Sequence, residues 1–156
     1  MASVKDIDHG WKRIVREVGA MKGSYVKVGV LSDAGSYATG EGSINLADVA
    51  TFNEFGTSRI PSRPFMAQSF DKNIPQVNKF IAFKQDAIYA GKETTAGALE
   101  NLGIFYQGKV QKEIAGGDFA PNAPSTVEAK GSKTPLIDTG RLRNSINHEV
   151  VMGGGK

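Results

Sequence analysis

Leu99, Leu102, Tyr106, Val110 and Ile114 step by three, four, four and four residues. Only an α-helix gathers such a series on one side of a chain. The spacing predicts a helix from Thr94 to Ala115, ended by Gly116-Gly117. Gly97, Gly103 and Gly108 fall inside it, and each costs about 1 kcal/mol against alanine. They either let another backbone approach closely or simply weaken the helix.

A second periodic run, Val4, Ile7, Trp11, Ile14, Val15, Val18 and Met21, predicts an amphipathic helix with Ser3 as its cap and Gly19 and Gly23 as its stop. Trp11 lies on that apolar stripe and is expected in the core. From Ser24 to Leu31 the pattern changes to period two, with Val26, Val28 and Val30 alternating against Tyr25, Lys27 and Gly29. That is a half-buried strand. Residues 32–44 hold Gly35, Gly40 and Gly42 and read as a mobile loop, too poor in apolar surface to offset its ordering entropy. Asn45 caps a short helix to Phe55, and Gly56 stops it.

Pro61 and Pro64 then force an extended, stiff segment through Thr57-Ser58-Arg59-Ile60-Pro61-Ser62-Arg63-Pro64-Phe65. Two helical pieces follow, Phe65 to Asn73 and Pro75 to Tyr89, with Pro75 opening or kinking the second. Residues 116–137 form a long, mobile connection, with one helical turn expected at Ser125-Thr126-Val127-Glu128 from its capping-box spacing. A short helix from Arg141 to Ser145, capped by Asp138 or Thr139, and a closing strand from Ile146 to Met152 complete the chain. The 156 residues suit one domain. The fold class expected is α+β, with a small, mainly antiparallel sheet seeded by residues 24–31 and packed against several helices.

Chemistry is sparse in this sequence. It has no cysteine, which excludes disulfides, thiolate metal sites and thiol nucleophiles. His9 and His148 have no second histidine at metal-ligand spacing. Gly40-Glu41-Gly42 lacks the third glycine of a dinucleotide loop, and Gly131-Ser132-Lys133-Thr134 runs into Pro135 where a phosphate loop needs a helix. Neither Asp48 with Glu54 nor Asp71 with Asp86 forms a catalytic pair. No catalytic residue, metal site or cofactor is expected, so the chain does not read as an enzyme. No apolar run reaches the roughly 20 residues of a membrane span, and Met1 to Gly10 has no apolar signal core.

The net charge is +3 with an isoelectric point near 9.1. The excess is spread evenly: residues 1–60 sum to zero, 61–100 to +1 and 101–156 to +2. A nucleic-acid-binding module, the alternative suggested by the basic isoelectric point, usually concentrates its cations on one face and binds DNA with strong salt dependence.

Two stretches carry a resemblance. The first is Asp48-Val49-Ala50-Thr51-Phe52-Asn53-Glu54-Phe55-Gly56-Thr57, running into Ile60-Pro61-Ser62-Arg63-Pro64-Phe65. The second is Pro121-Asn122-Ala123-Pro124-Ser125-Thr126 with Lys130, then Pro135-Leu136-Ile137-Asp138-Thr139-Gly140-Arg141-Leu142 and Ser145-Ile146. In this order they resemble the tail-component proteins of tailed bacteriophages typified by gene product ten of phage HK97, and the related tail-completion and virion-morphogenesis proteins of lambda-like and Mu-like phages. Phe119 departs from the pattern, since relatives often carry a tryptophan there; the aromatic anchor is kept.

The resemblance implies a structural virion protein at the head–tail junction: a neck, tail-completion or tail-terminator subunit. Such a protein is made in the host cytoplasm and sits in the virion as a homo-oligomeric ring, a hexamer by family likeness, beside connector and tail proteins. DNA would pass through its lumen without sequence-specific binding. The stiff segment and the second stretch supply the subunit-interface candidates: Phe55, Gly56, Thr57, Arg59, Ile60, Pro61, Arg63, Pro64, Phe65, Asp138, Thr139, Gly140, Arg141 and Leu142. For the first group, a turn that closes the subunit's own core has equal standing; for the second, a helix cap does.

Overall fold

The computed structural model describes residues 8–31, 34–39 and 42–153. Within them the order is α1 (Trp11–Met21), β1 (Tyr25–Val30), β2 (Ser36–Thr39), β3 (Gly42–Asn45), α2 (Leu46–Phe55), α3 (Phe65–Tyr89), α4 (Thr95–Gly116), α5 (Pro124–Lys130), α6 (Arg141–Asn144) and β4 (Ile146–Val151). The fold is α+β with antiparallel strands. β1 pairs with β4, Tyr25 opposite Val151 and Val30 opposite Ile146. β2 pairs with β3 in a separate hairpin, Tyr37 opposite Ile44. The expectations for Ser3, Val4 and Ile7 lie outside the described residues.

Helix α4 is the axle. Thr94 caps it, its side chain accepting from Gly97 N at 3.1 Å. Val110 and Ile114 are sealed in a core with Ala50, Phe65, Leu136, Leu142 and Ile146. The β1–β4 pair lies across α4, and α3 runs antiparallel beside it. Phe80 stacks on Phe105 at 4.7 Å between ring centroids, Phe70 meets Tyr106 edge-on, and Lys72 and Lys84 pair with Glu113 and Glu93. No helix among the described residues is long and apolar enough to cross a membrane.

Gly103 explains how closely the sheet sits. A Cβ there would strike the His148 ring, with Cγ at 2.7 Å, and Val26 Cγ2 at 3.0 Å. The close neighbour is thus a side chain of the sheet, not a backbone. At Gly108 a Cβ would meet open space, so only the helix penalty applies there. The His148 ring is held between Gln107 Oε1 at 2.6 Å and Glu100 Oε1 at 3.0 Å.

Several local expectations are revised. Residues 65–89 form one continuous helix. Pro75 removes one backbone donor, but it lies on the exposed face, where water can serve the freed acceptor. Within 32–44, residues 36–39 and 42–45 are a hairpin rather than loop, and β3 leads directly into α2. Helix α5 begins at Pro124, whose fixed φ suits a first helical position. At α6 Gly140, at φ 77°, takes the cap position and neither Asp138 nor Thr139 bonds the helix end.

The largest revision is α1. Trp11 is 70% exposed and Val15 and Val18 are also outward, while Glu17 is only 7% exposed. The cause lies in what α1 packs against. It sits over the turn between α3 and α4, where polar backbone groups emerge. Arg13 Nη1 donates to Ile88 O at 3.2 Å, near the C-terminus of α3. Glu17 Oε2 accepts from Thr95 N at 2.8 Å, at the N-terminus of α4. Each charge matches the dipole of the helix end it meets. The face of α1 that turns inward therefore carries Arg13 and Glu17 beside Ile14 and Met21, while Lys12 and Arg16 stay exposed.

The Thr95 backbone N–H, outweighing burial, holds the Glu17 carboxyl below its ordinary value of 4.5. A carboxyl depressed by folding adds stability above about pH 4.5 that is lost as pH falls through its lower folded value. The urea midpoint is expected to drop across this acid window, and Glu17→Gln to flatten that part of the profile; equal slopes for both proteins would refute the cap. For Gly103→Ala, helix propensity alone would add about 1 kcal/mol, but overpacking against His148 and Val26 costs roughly 1–3 kcal/mol. A net loss of stability is expected by chemical denaturation, with Gly108→Ala stabilising as the control.

Candidate functional site

The two stretches that carry the resemblance meet in space. Between them lies a cleft of about 350 Å³ lined by Asn53, Ile60, Pro61 and Arg63 from the first, and Asn122, Leu136, Asp138 and Leu142 from the second. Tyr37 of β2 closes one end.

The first wall is built by a tight turn. Helix α2 ends at Gly56, at φ 75°, where a Cβ would lie 2.9 Å from Ser62 N and 3.0 Å from Ile60 O. Only glycine fits that conformation and that approach. Thr57 N donates to Ile60 O at 2.8 Å, and Thr57 Oγ1 accepts from Ile60 N at 3.0 Å and Arg59 N at 3.2 Å. Ser62 Oγ donates to Glu54 O at 2.8 Å. The Glu54 carboxylate then accepts from Met66 N at 2.9 Å and Ala67 N at 3.0 Å. It serves as the missing cap of α3, since Pro64 at the cap position has no side-chain acceptor. Spacing alone read Glu54 as a solvated carboxylate.

Arg63 joins the walls. It is 7% exposed. Its Nε donates to Ala120 O at 2.8 Å and Nη2 to Pro121 O at 3.0 Å and Asn122 Oδ1 at 3.3 Å, across the cleft. Nη1 donates to Asn53 Oδ1 at 3.3 Å. Burial lowers the guanidinium's pKa, yet arginine remains charged. Lys130 is pushed down by burial and by Arg63, with Asp138 acting the other way.

The second wall depends on a strained residue. Leu136 is buried at φ 58°, a left-handed conformation that costs a leucine roughly 1–2 kcal/mol. Burial of its side chain and of Ile137 against the core offsets that cost. On the far side Arg141 lies over the Tyr37 ring at 4.3 Å and donates to Ser36 O at 2.6 Å, so it ties the β2–β3 hairpin to α6.

The interface candidates thus divide. Arg63, Phe65 and Leu142 are buried in the subunit's own framework. Phe55, Thr57, Arg59, Pro61, Asp138, Thr139 and Arg141 are exposed, and Gly56, Ile60, Pro64 and Gly140 are half-buried. Tyr37, Asn53, Asn122 and Lys130 belong to the cleft and were not among the candidates. The motif spacing around Asn53, Asn122 and Lys130 was the only signal for them; Tyr37 had none. Among the described residues no group of His, Asp and Glu side chains has the arrangement to hold a metal ion. A scan of protein-family models, a search of curated proteins and a search of solved structures each returned no match.

Truncating Arg63 strands several acceptors and leaves the two walls unjoined. Arg63→Ala is expected to cost roughly 1–3 kcal/mol in denaturant unfolding, from the acceptors left unsatisfied, against about 1 kcal/mol for Glu54→Ala, which removes a cap. Arg63→Lys should recover only part, because one ammonium cannot span both walls. Near-neutral Arg63→Ala would remove the clamp from this account.

Proposed function

We propose that the protein is a structural, non-catalytic virion subunit of a tailed bacteriophage. It acts at the head–tail junction and assembles as a homo-oligomeric ring, a hexamer on the resemblance, around a channel through which DNA passes without sequence-specific contact. One observation carries most of the weight. The two resembling stretches, far apart in sequence, converge on Arg63 and form the two walls of one cleft.

The turn beside the cleft suits docking. Phe55 is 78% exposed beside the Gly56–Ile60 turn, and the turn is braced by Thr57, Ser62 and Arg63. A braced segment loses little conformational freedom on association, so more of its apolar contact appears as affinity. An outward phenylalanine on a rigid turn is the kind of anchor that seats in a neighbour's pocket.

Phe55→Asp is expected to change unfolding free energy by no more than about 0.5 kcal/mol while reducing ring formation, as read by light scattering and negative-stain microscopy. A ring that forms normally with this substitution would remove Phe55 from the interface. Particles of the parent phage lacking this chain altogether would defeat the functional reading.

A further inference from the structure

The charge balance of the cleft is unusual. Arg63 is more than nine-tenths buried, yet its acceptors are all neutral: two backbone carbonyls and two side-chain amides. Among the described residues no carboxylate lies within ion-pairing distance of it. A guanidinium has five N–H groups, and these four bonds leave one Nη1 hydrogen without a partner among the described residues. Lys130 and Arg59 also line the cleft. Among the described residues the Arg59 guanidinium has no hydrogen bond or ion pair. Against these three cations the lining offers one acid, Asp138.

A buried charge met only by neutral dipoles is costly, and an incoming anion would relieve it. The shape narrows what that anion is. The site is concave, with Ile60 and Leu142 among its walls. A duplex backbone is a convex rod that favours broad basic faces, and it does not reach a guanidinium buried in the wall of a cleft. A single carboxylate on a flexible stem does, and it suits the planar fork of arginine.

We propose that the cleft is a carboxylate-binding site that receives an aspartate or glutamate side chain from an adjoining copy of this chain. The carboxylate chemistry stands on the cleft alone; the adjoining copy as its source rests on the assembly reading.

The test uses the full chain and succinate as probe, with chloride at matched ionic strength as control. Saturable amide shifts at Arg59 and Lys130 are expected by NMR. Arg59→Ala and Lys130→Ala, which leave the Arg63 clamp in place, should each raise the succinate Kd about tenfold. No saturable shift, an unchanged Kd in both variants, or displacement of succinate by a duplex oligonucleotide would overturn the site. Both variants should also reduce assembly in light scattering. Variants that lose succinate yet assemble fully would overturn the adjoining copy as the source. A chain that binds succinate but never forms a ring would defeat the assembly reading and leave the site standing.

Discussion

The buried guanidinium of Arg63 is the constraint on which the functional half of the molecule depends. It donates to the side-chain amide of Asn53 at the end of α2 and to carbonyl and amide oxygens of residues 120–122 in the connection after α4. A buried charge is expensive, but arginine's fork spreads it over several acceptors at once. The long connection after α4 is thereby held against the turn after α2, and a cleft opens between them.

Helix ends organise the other half in a similar way. Glu17 and Glu54 each cap a helix to which they do not belong, and Arg13 meets the carbonyl end of α3. These contacts join elements by satisfying backbone groups that helices cannot satisfy themselves. They also decide which faces remain outside. With Arg13 and Glu17 committed inward, α1 leaves Trp11, Val15 and Val18 in solvent. Apolar patterning gave the correct element and the wrong orientation, because it assumes that apolar packing outweighs every other contact the helix can make.

How legible each part was follows from the range of the interactions behind it. Helix α4, strand β1, the Asn45 cap and the Gly56 stop all depend on neighbours a few residues away, and local pattern exposed them; that Thr94 is the cap of α4 and not its first residue came from the structure. The β2–β3 hairpin, which Arg141 contacts from about a hundred residues later, lies in a glycine-rich stretch that read as loop. Arg63 stood out in sequence as part of a stiff, resembling segment. Its inward direction was not visible there, because burial of a cation becomes tolerable only when Ala120, Pro121 and Asn122 arrive to receive it.

The sequence by itself determined the α+β class, the positions of most helices, the absence of cysteine chemistry and the two stretches worth attention. These follow from local periodicity, backbone restriction and residue type. Tertiary structure alone decided that the stretches share one cleft, that Arg63, Phe65 and Leu142 support it from within, and that Phe55, Arg59 and Arg141 remain outward. Direction is a property of packing: a side chain turns toward whatever partner satisfies it, and here those partners are far away along the chain.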